Sequence, residues 1–492
     1  MRRFLKLLRK TLLLVLAMVA VLATVLAFNV FRNPSKQLQV AAIARLPVDE
    51  AAAANRLAEA IRFPTISSVS EPDKSAAAFD ALQAHIVASF PAFHAAAKRE
   101  TAGHHSLLYT WQGSDAALKP IALLAHQDVV PIAPGTEQDW QQPPFQGVIA
   151  DGFVWGRGSW DDKGNLYSIL EAVEEMAKQG FRPKRTIYFA FGDDEEVGGR
   201  GAQAMAALLA SRKVRLDFVL DEGLLITEGI LKGIDKPLAL IGVAEKGYAT
   251  LALTAKGTPG HSSMPPHDTA IGTLSAALVR LESNRLPMRI NDTVDAMLAT
   301  VAPEMGGANR VVLSNLWLLK PLLLREFEKS GPTEANVRTT TALTIFKAGE
   351  QDNVLPGNAE AAVNFRLLPG DTLASVTEHV RRVIADDRIA IAPFPGATDP
   401  PPVTSSDGPS YTALSRTIRE VFPDTLVAPG LMVATTDSRH YAGITDNIFR
   451  FSPVRATSRD LTRFHGTDER LSVANYADMI RFYRRLIENT AG

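Results

Sequence analysis

The stretch Ile121-Ala122-Leu123-Leu124-Ala125-His126-Gln127-Asp128 decides the fold. Five apolar residues are the length of a buried strand, and this run stops at a histidine and an acid. Two more runs have the same form: residues 186–191 lead into Asp193-Asp194-Glu195-Glu196, and residues 216–220 lead into Asp221-Glu222. Between the first two runs lies Gly156-Arg157-Gly158-Ser159-Trp160-Asp161-Asp162-Lys163-Gly164. It opens a segment, 166–178, whose apolar residues recur at helical spacing and which ends before Gly180, a good residue for the turn beyond a helix. Short buried-type strands alternating with helices predict an α/β domain with a largely parallel central sheet flanked by helices.

Composition narrows the chemistry. The 492 residues suggest two or three domains, and 46% apolar with 21% charged residues is globular rather than disordered. Fifty-two Lys and Arg against 53 Asp and Glu leave a net charge of −1, so no basic field exists to hold nucleic acid. The absence of cysteine excludes a disulfide framework, a thiolate metal site and a cysteine nucleophile together. Any metal must sit on His, Asp and Glu, and there are only 10 histidines.

Parallel strands bring their carboxyl ends to one rim, where open α/β sheets bind ligands. A single Asp-Glu pair reads as a solvated loop. Acids at several strand ends on one rim do not, because repulsion and desolvation oppose them unless cations intervene. Imidazole with carboxylates suits zinc, with cobalt or manganese as alternatives.

The ordered motifs H-x-D, G-R-G-x-x-D-D-K-G, D-E-E-x-G-G, L-D-E-G and a late F-H-G resemble the di-zinc metallopeptidase superfamily of aminoacylase, glutamate carboxypeptidase and succinyl-diaminopimelate desuccinylase. Within it the chain is most similar to the carboxypeptidase S and N-fatty-acyl-amino-acid synthase/hydrolase branch. The resemblance implies two zinc ions per subunit bridged by Asp161, one also held by Glu196 and His465, the other by His126 and Asp221. Glu222, next to Asp221, is the alternative ligand. Asp128 would orient the His126 ring, Glu195 would be the general base, and Asp162 and Asp194 would be structural. His261, in Gly257-Thr258-Pro259-Gly260-His261-Ser262-Ser263, is implied to stabilise the oxyanion. Asn353, Arg366 and Arg439 are implied to bind substrate, the arginines through its free carboxylate. His267 and His440 sit beside motifs and are candidates to line the pocket, while the other histidines read as packing or surface residues.

Around residue 245 the pattern changes. Residues 248–255 and 360–368 alternate like strands with one covered face, and helical stretches follow each. The domains expected are therefore 51–244 and 393–492 as the catalytic unit, with an inserted α+β lid or dimerisation domain at 245–392. The proline-rich segment after 392 reads as the return linker. The resemblance also allows a homodimer through the lid. Within the insertion, apolar residues 316–324 are expected to form a buried helix, the alternatives being an acyl-chain groove or a membrane-facing patch.

The first residues differ again. Arg2, Arg3, Lys6, Arg9 and Lys10 precede an uncharged run, 11–31, long enough to span a bilayer as a helix. With Arg32 and Lys36 the only nearby cations beyond it, the N-terminus is expected inside. Residues 1–32 thus read as a single-pass signal anchor and 33–50 as a tether, with the catalytic part extracytoplasmic (periplasmic, lumenal or extracellular). The expected function is zinc-dependent hydrolysis of the amide bond before a C-terminal free amino acid, in small peptides or N-acyl amino acids. A silent membrane-tethered binding protein and a dinuclear phosphoesterase are the rival readings.

Overall fold

The computed structural model describes residues 2–41, 43–231 and 233–492, so Met1, Ala42 and Lys232 lie outside the described residues. The chain has a mixed α/β fold. Among the described residues, eight strands form one sheet in the order Lys98–Ala102, Ser106–Trp111, Ile187–Gly192, Ile121–His126, Val219–Thr227, Ile448–Ala456, Leu238–Glu245 and Leu426–Met432. Its centre is parallel: Ile121–His126 runs alongside both Ile187–Gly192 and Val219–Thr227, which in turn pairs with Ile448–Ala456. Every residue of Ile121–His126 and Ile187–Gly192 is buried, as expected for strands covered on both faces. Helices Lys163–Lys178 and Val473–Ala491 pack in the core on one face, and Arg200–Ser211 packs in a separate core on the other. Register places His126 opposite Gly192, so the acids that follow Gly192 start at the level of the histidine.

The third strand departs from expectation. It spans Val219–Thr227 rather than 216–220, so Asp221 and Glu222 lie inside it instead of past its end. Its register against Ile448–Ala456 shifts after Arg450, beside Gly223, whose φ of +145° only glycine adopts readily. A Cβ there would also lie 2.8 Å from the Cβ of Arg450. Beyond that bulge the strand continues by antiparallel pairing with Leu238–Glu245, which sequence pattern alone does not announce.

A second sheet, all antiparallel, has the order Thr340–Ala348, Asn358–Leu367, Gly247–Lys256 and Ile389–Pro393. Helices Ala270–Ser283 and Leu373–Ile384 contribute to its own hydrophobic core. The chain leaves the first sheet at Glu245 and enters the second at Gly247, so Lys246 alone makes the outgoing connection.

The segments around these sheets add a docked tether and one correction. Residues 33–50, expected as a tether, are held to the first sheet at Gln37, which donates to the Val427 carbonyl at 3.0 Å and accepts the Val427 N–H at 2.8 Å. Strand Leu426–Met432 ends the sheet order, and an edge leaves backbone groups open for a side chain of this kind. Residues 316–324 do form a helix, Leu316–Phe327, but Leu323 is its one buried residue. Trp317, Leu318 and Leu322 face outward because the core beneath the helix accepts only one of its faces. The N-terminal helix Arg2–Phe31 is long and apolar enough to cross a membrane, and none of its residues is buried.

Candidate metal centre

Loop 156–162 presents Asp161 because a buried acid holds it there. Glu469 Oε1 accepts the N–H groups of Gly158, Trp160 and Asp161 at 3.0, 2.9 and 3.1 Å. Its other oxygen pairs with Arg157 at 2.6 Å, both side chains being almost fully buried. The Asp161–Asp162 peptide is cis. Neither Glu469 nor Arg157 stood out as a site residue in the sequence. Glu469 lies four positions after His465 in the same segment, and that spacing was the available signal.

Asp161 then faces two histidines at once. Its Oδ1 lies 3.0 Å from His126 Nε2, and its Oδ2 lies 2.7 Å from His465 Nε2. Glu196 Oε1 stands 3.2 Å from the same His465 nitrogen. His126, Asp161 and Glu196 offer ligand atoms that all lie within 4.8 Å of one another. Asp128 sits behind this group: its carbonyl oxygen and Oδ1 lie 3.0 and 3.2 Å from His126 Nδ1, and its two carboxylate oxygens accept the N–H groups of Glu195 and Glu196 at 3.2 and 3.1 Å. One carboxylate therefore orients the ring and fixes the loop that carries both glutamates. Asp162 accepts the His126 N–H at 3.1 Å, and Asp194 accepts the N–H groups of Arg200 and Gly201 at the start of a helix.

Asp221 enters differently. Its oxygens take the N–H groups of Ser438 at 2.7 Å and Glu222 at 2.9 Å, and it is not among the residues within 4.8 Å of one another. It interacts electrostatically with His126 and Arg450. Asp437, which sequence reading did not single out, is buried next to it in charge and has Oδ1 without a hydrogen-bond partner.

Crowding shows in the titration of these groups. Burial pushes Asp221 up to about 6 despite its two N–H donors. Burial and the charges of Asp161 and Asp221 hold Glu222 well above the carboxylate range. Burial raises Glu195 strongly, with Asp437, Glu196 and Asp128 adding to it and His126 opposing. Burial opposes charge on His465, yet Asp161 and Glu196 outweigh it and push the imidazole up to about 10. The cluster thus calls for positive charge. Its donors are imidazole nitrogen and carboxylate oxygen, and Asp437 offers an unused oxygen, so the residues fit zinc, cobalt or manganese.

The remaining expected residues lie around the second sheet. His261 is exposed on a two-residue strand, Gly260–His261, paired with Val354–Leu355. Ser262 N–H donates to the Asn353 carbonyl at 3.0 Å, which brings His261 and Asn353 together. No hydrogen bond joins either one to the acidic cluster among the described residues. Arg366 lies over the Tyr248 ring at 4.8 Å, and its buried Nη1 has no partner. Burial, opposed by Tyr248 and Glu245 and helped by Arg439, lowers its pKa. Arg439 is tied to the Thr436 and Gly198 carbonyls at 3.0 and 3.1 Å. A cavity of about 220 Å³ at the junction is lined by Glu245, Lys246, Thr398, Asp399, Arg439 and His440. Lys246, another residue not foreseen, donates to the Ala335 and Arg338 carbonyls at 2.9 and 2.8 Å. Arg366 and Arg439 interact across this junction, where the Arg366 Nη1 left without a partner can meet an anionic group.

Comparison with known proteins gives the family and the fold. The model of Peptidase family M20/M25/M40 matches residues 122–489. A probable carboxypeptidase S-like 2 of Dictyostelium discoideum is 41% identical over 476 residues, covering 94% of this chain and 91% of that protein. The N-fatty-acyl-amino acid synthase/hydrolase PM20D1 of Xenopus tropicalis is 43% identical over 436 residues, covering 88% and 84%. Among solved structures, the M20 family metallo-carboxypeptidase Sso-CP2 from Sulfolobus solfataricus superposes with a TM-score of 0.63 at 17% identity, over 90% of this chain and 99% of that one. That last likeness concerns the fold.

Proposed function

The chain belongs to peptidase family M20/M25/M40 and is a hydrolase, and on that premise we propose a membrane-anchored di-zinc enzyme. It cleaves the amide bond before a C-terminal free amino acid, in small peptides or in N-acyl amino acids. The observation that carries this reading is Asp161, with one oxygen toward His126 and the other toward His465 inside a surplus of buried acids. Asp161 would bridge two zinc ions, with His126 and Asp221 completing one set and Glu196 and His465 the other. Zinc, when bound, polarises a carbonyl and lowers the pKa of water.

The chain's own groups supply the rest. Glu195, held by Asp128 through its backbone N–H, takes the proton of the attacking water and returns it to the leaving amine. Asp128 keeps the His126 ring in one orientation. His261 donates to the developing oxyanion, and because it is exposed, closure of the second unit over the cleft, or a partner subunit, would bring it in. The unpaired Nη1 of Arg366 grips the substrate carboxylate, with Arg439 and Asn353 alongside. Within 245–392, the second sheet with helices Ala270–Ser283 and Leu373–Ile384 would be the moving lid and the proline-rich return its hinge, while helices Asp292–Val301 and Leu316–Phe327 share a core with Leu238, Leu426 and Ala428 of the first sheet. Strand Thr340–Ala348 ends the second sheet's order and exposes Leu343, Ile345 and Phe346, which suits pairing with a second copy. Charge on either side of helix Arg2–Phe31 supports an N-terminus inside and the enzyme outside.

A hydrolysis panel tests the substrate. N-acyl amino acids of rising chain length and Gly-X dipeptides, each beside its C-terminal amide, should be cleaved only with the carboxylate free. Equal turnover of the amides would overturn the reading.

A further inference from the structure

Helix Leu316–Phe327 carries an apolar stripe that the protein does not cover. Trp317 is 63% exposed, Leu318 40% and Leu322 57%, and with Pro321 they recur at the spacing of one helix face. The stripe begins where the N-terminal helix ends. Asn29 donates to Asn315 Oδ1 at 2.8 Å, Asn315 donates back to the Leu26 carbonyl at 3.2 Å, and Asn33 donates to Ser314 at 3.4 Å. A groove of about 470 Å³ between the two is lined by Asn29, Arg32, Asn33, Leu313, Leu316 and Trp317.

These contacts fix the depth of the stripe. The uncharged run 11–31 is about 31 Å of helix, close to the thickness of a bilayer's hydrocarbon. A helix spanning it emerges near Phe31 and Arg32, and the bonds from Asn29 and Asn33 put Asn315 and Trp317 at that same level. Tryptophan favours that boundary, and Lys320 and Arg325 can extend their cationic ends to headgroups while their stems lie along apolar surface.

We propose that helix Leu316–Phe327 lies in the headgroup–acyl boundary of the bilayer that holds the N-terminal helix, so the hydrolase is docked on the membrane and not merely tethered to it. The occupant of the stripe is lipid, because the stripe adjoins the exit of an apolar helix that itself has no buried residue. A helix with an exposed apolar stripe and cations beside it and at its end settles in this way. The inference rests on the anchored reading.

The cysteine-free chain permits a direct test. Full-length single variants Leu318→Cys, Leu322→Cys, Leu14→Cys and Val279→Cys are labelled with a nitrobenzoxadiazole dye and reconstituted in phosphatidylcholine vesicles containing doxyl-phosphatidylcholine. Val279, exposed on helix Ala270–Ser283 of the second sheet's core, serves as the comparison label. Labels at 14, 318 and 322 should lose roughly half or more of their emission to the lipid quencher, and the label at 279 almost none. Quenching at 14 without quenching at 318 and 322 overturns the docking and leaves the anchor standing. If those two labels are instead shielded from aqueous iodide without lipid quenching, a protein partner covers the face and the proposal is wrong. No quenching at 14 refutes the anchor itself, and the docking with it.

Discussion

Asp161 Oδ2 lies 2.7 Å from Nε2 of His465, although 304 positions separate the two residues. The contact exists because the returning chain after the second unit rebuilds the first sheet, and because Glu469, on the same segment as His465, also grips the backbone of Asp161. Ligand and scaffold thus arrive together.

That double attachment makes Glu469 a stability determinant. Glu469→Gln leaves the Arg157 guanidinium buried beside a neutral amide, a loss of about 3–5 kcal/mol for a broken buried pair. Denaturant unfolding should show it as a lower midpoint with an unchanged slope. A shift within the error of the wild-type midpoint would mean that the loop is held by something else.

Glu195→Gln should separate chemistry from metal uptake. A general base contributes about 10²- to 10⁴-fold, so kcat should fall by at least that range while zinc content by elemental analysis stays at the wild-type value. Retained turnover would remove Glu195 from the mechanism.

Much of this centre was legible in the sequence, and the reasons are local. His126 ends a short apolar run, and Glu195 and Glu196 follow another, so strand length and register place them on one rim. Asp221 was harder: its strand runs on to Thr227 through a bulge at Gly223, which depends on a partner strand more than 200 residues away. Glu469, Asp437 and Lys246 were not foreseen, because their significance comes from burial and from partners distant in the chain. The helix at Leu316–Phe327 misled for a related reason. Apolar composition says that a face seeks cover but not what supplies the cover.

Arg366→Lys should act on binding. Lysine cannot reproduce two parallel N–H bonds to a carboxylate, so KM for free-carboxylate substrates should rise about tenfold or more with kcat changed far less. A fall in kcat with KM unchanged would place Arg366 elsewhere in the reaction.

Lys246 predicts a pH dependence of stability. Burial, reinforced by Arg366, lowers its pKa from 10.5 to about 7. Below pH 7 both folded and unfolded chains hold the proton. From about 7 to 10.5 the unfolded chain binds more of it, so this residue makes stability rise with pH, by up to about 1.4 kcal/mol per unit. Unfolding midpoints followed across that window should rise more steeply for the wild type than for Lys246→Met. Parallel curves would show that the ammonium is not so perturbed.

The central claim is a pair of metal ions on Asp161. Full-length protein is dialysed against a chelator, then titrated with zinc while hydrolysis of an N-acyl amino acid and bound metal are followed together. Activity should vanish on chelation and return in proportion to zinc, levelling at two ions per chain, with Asp161→Asn binding little and hydrolysing nothing. Turnover that survives metal removal, or that levels at one ion, would contradict it.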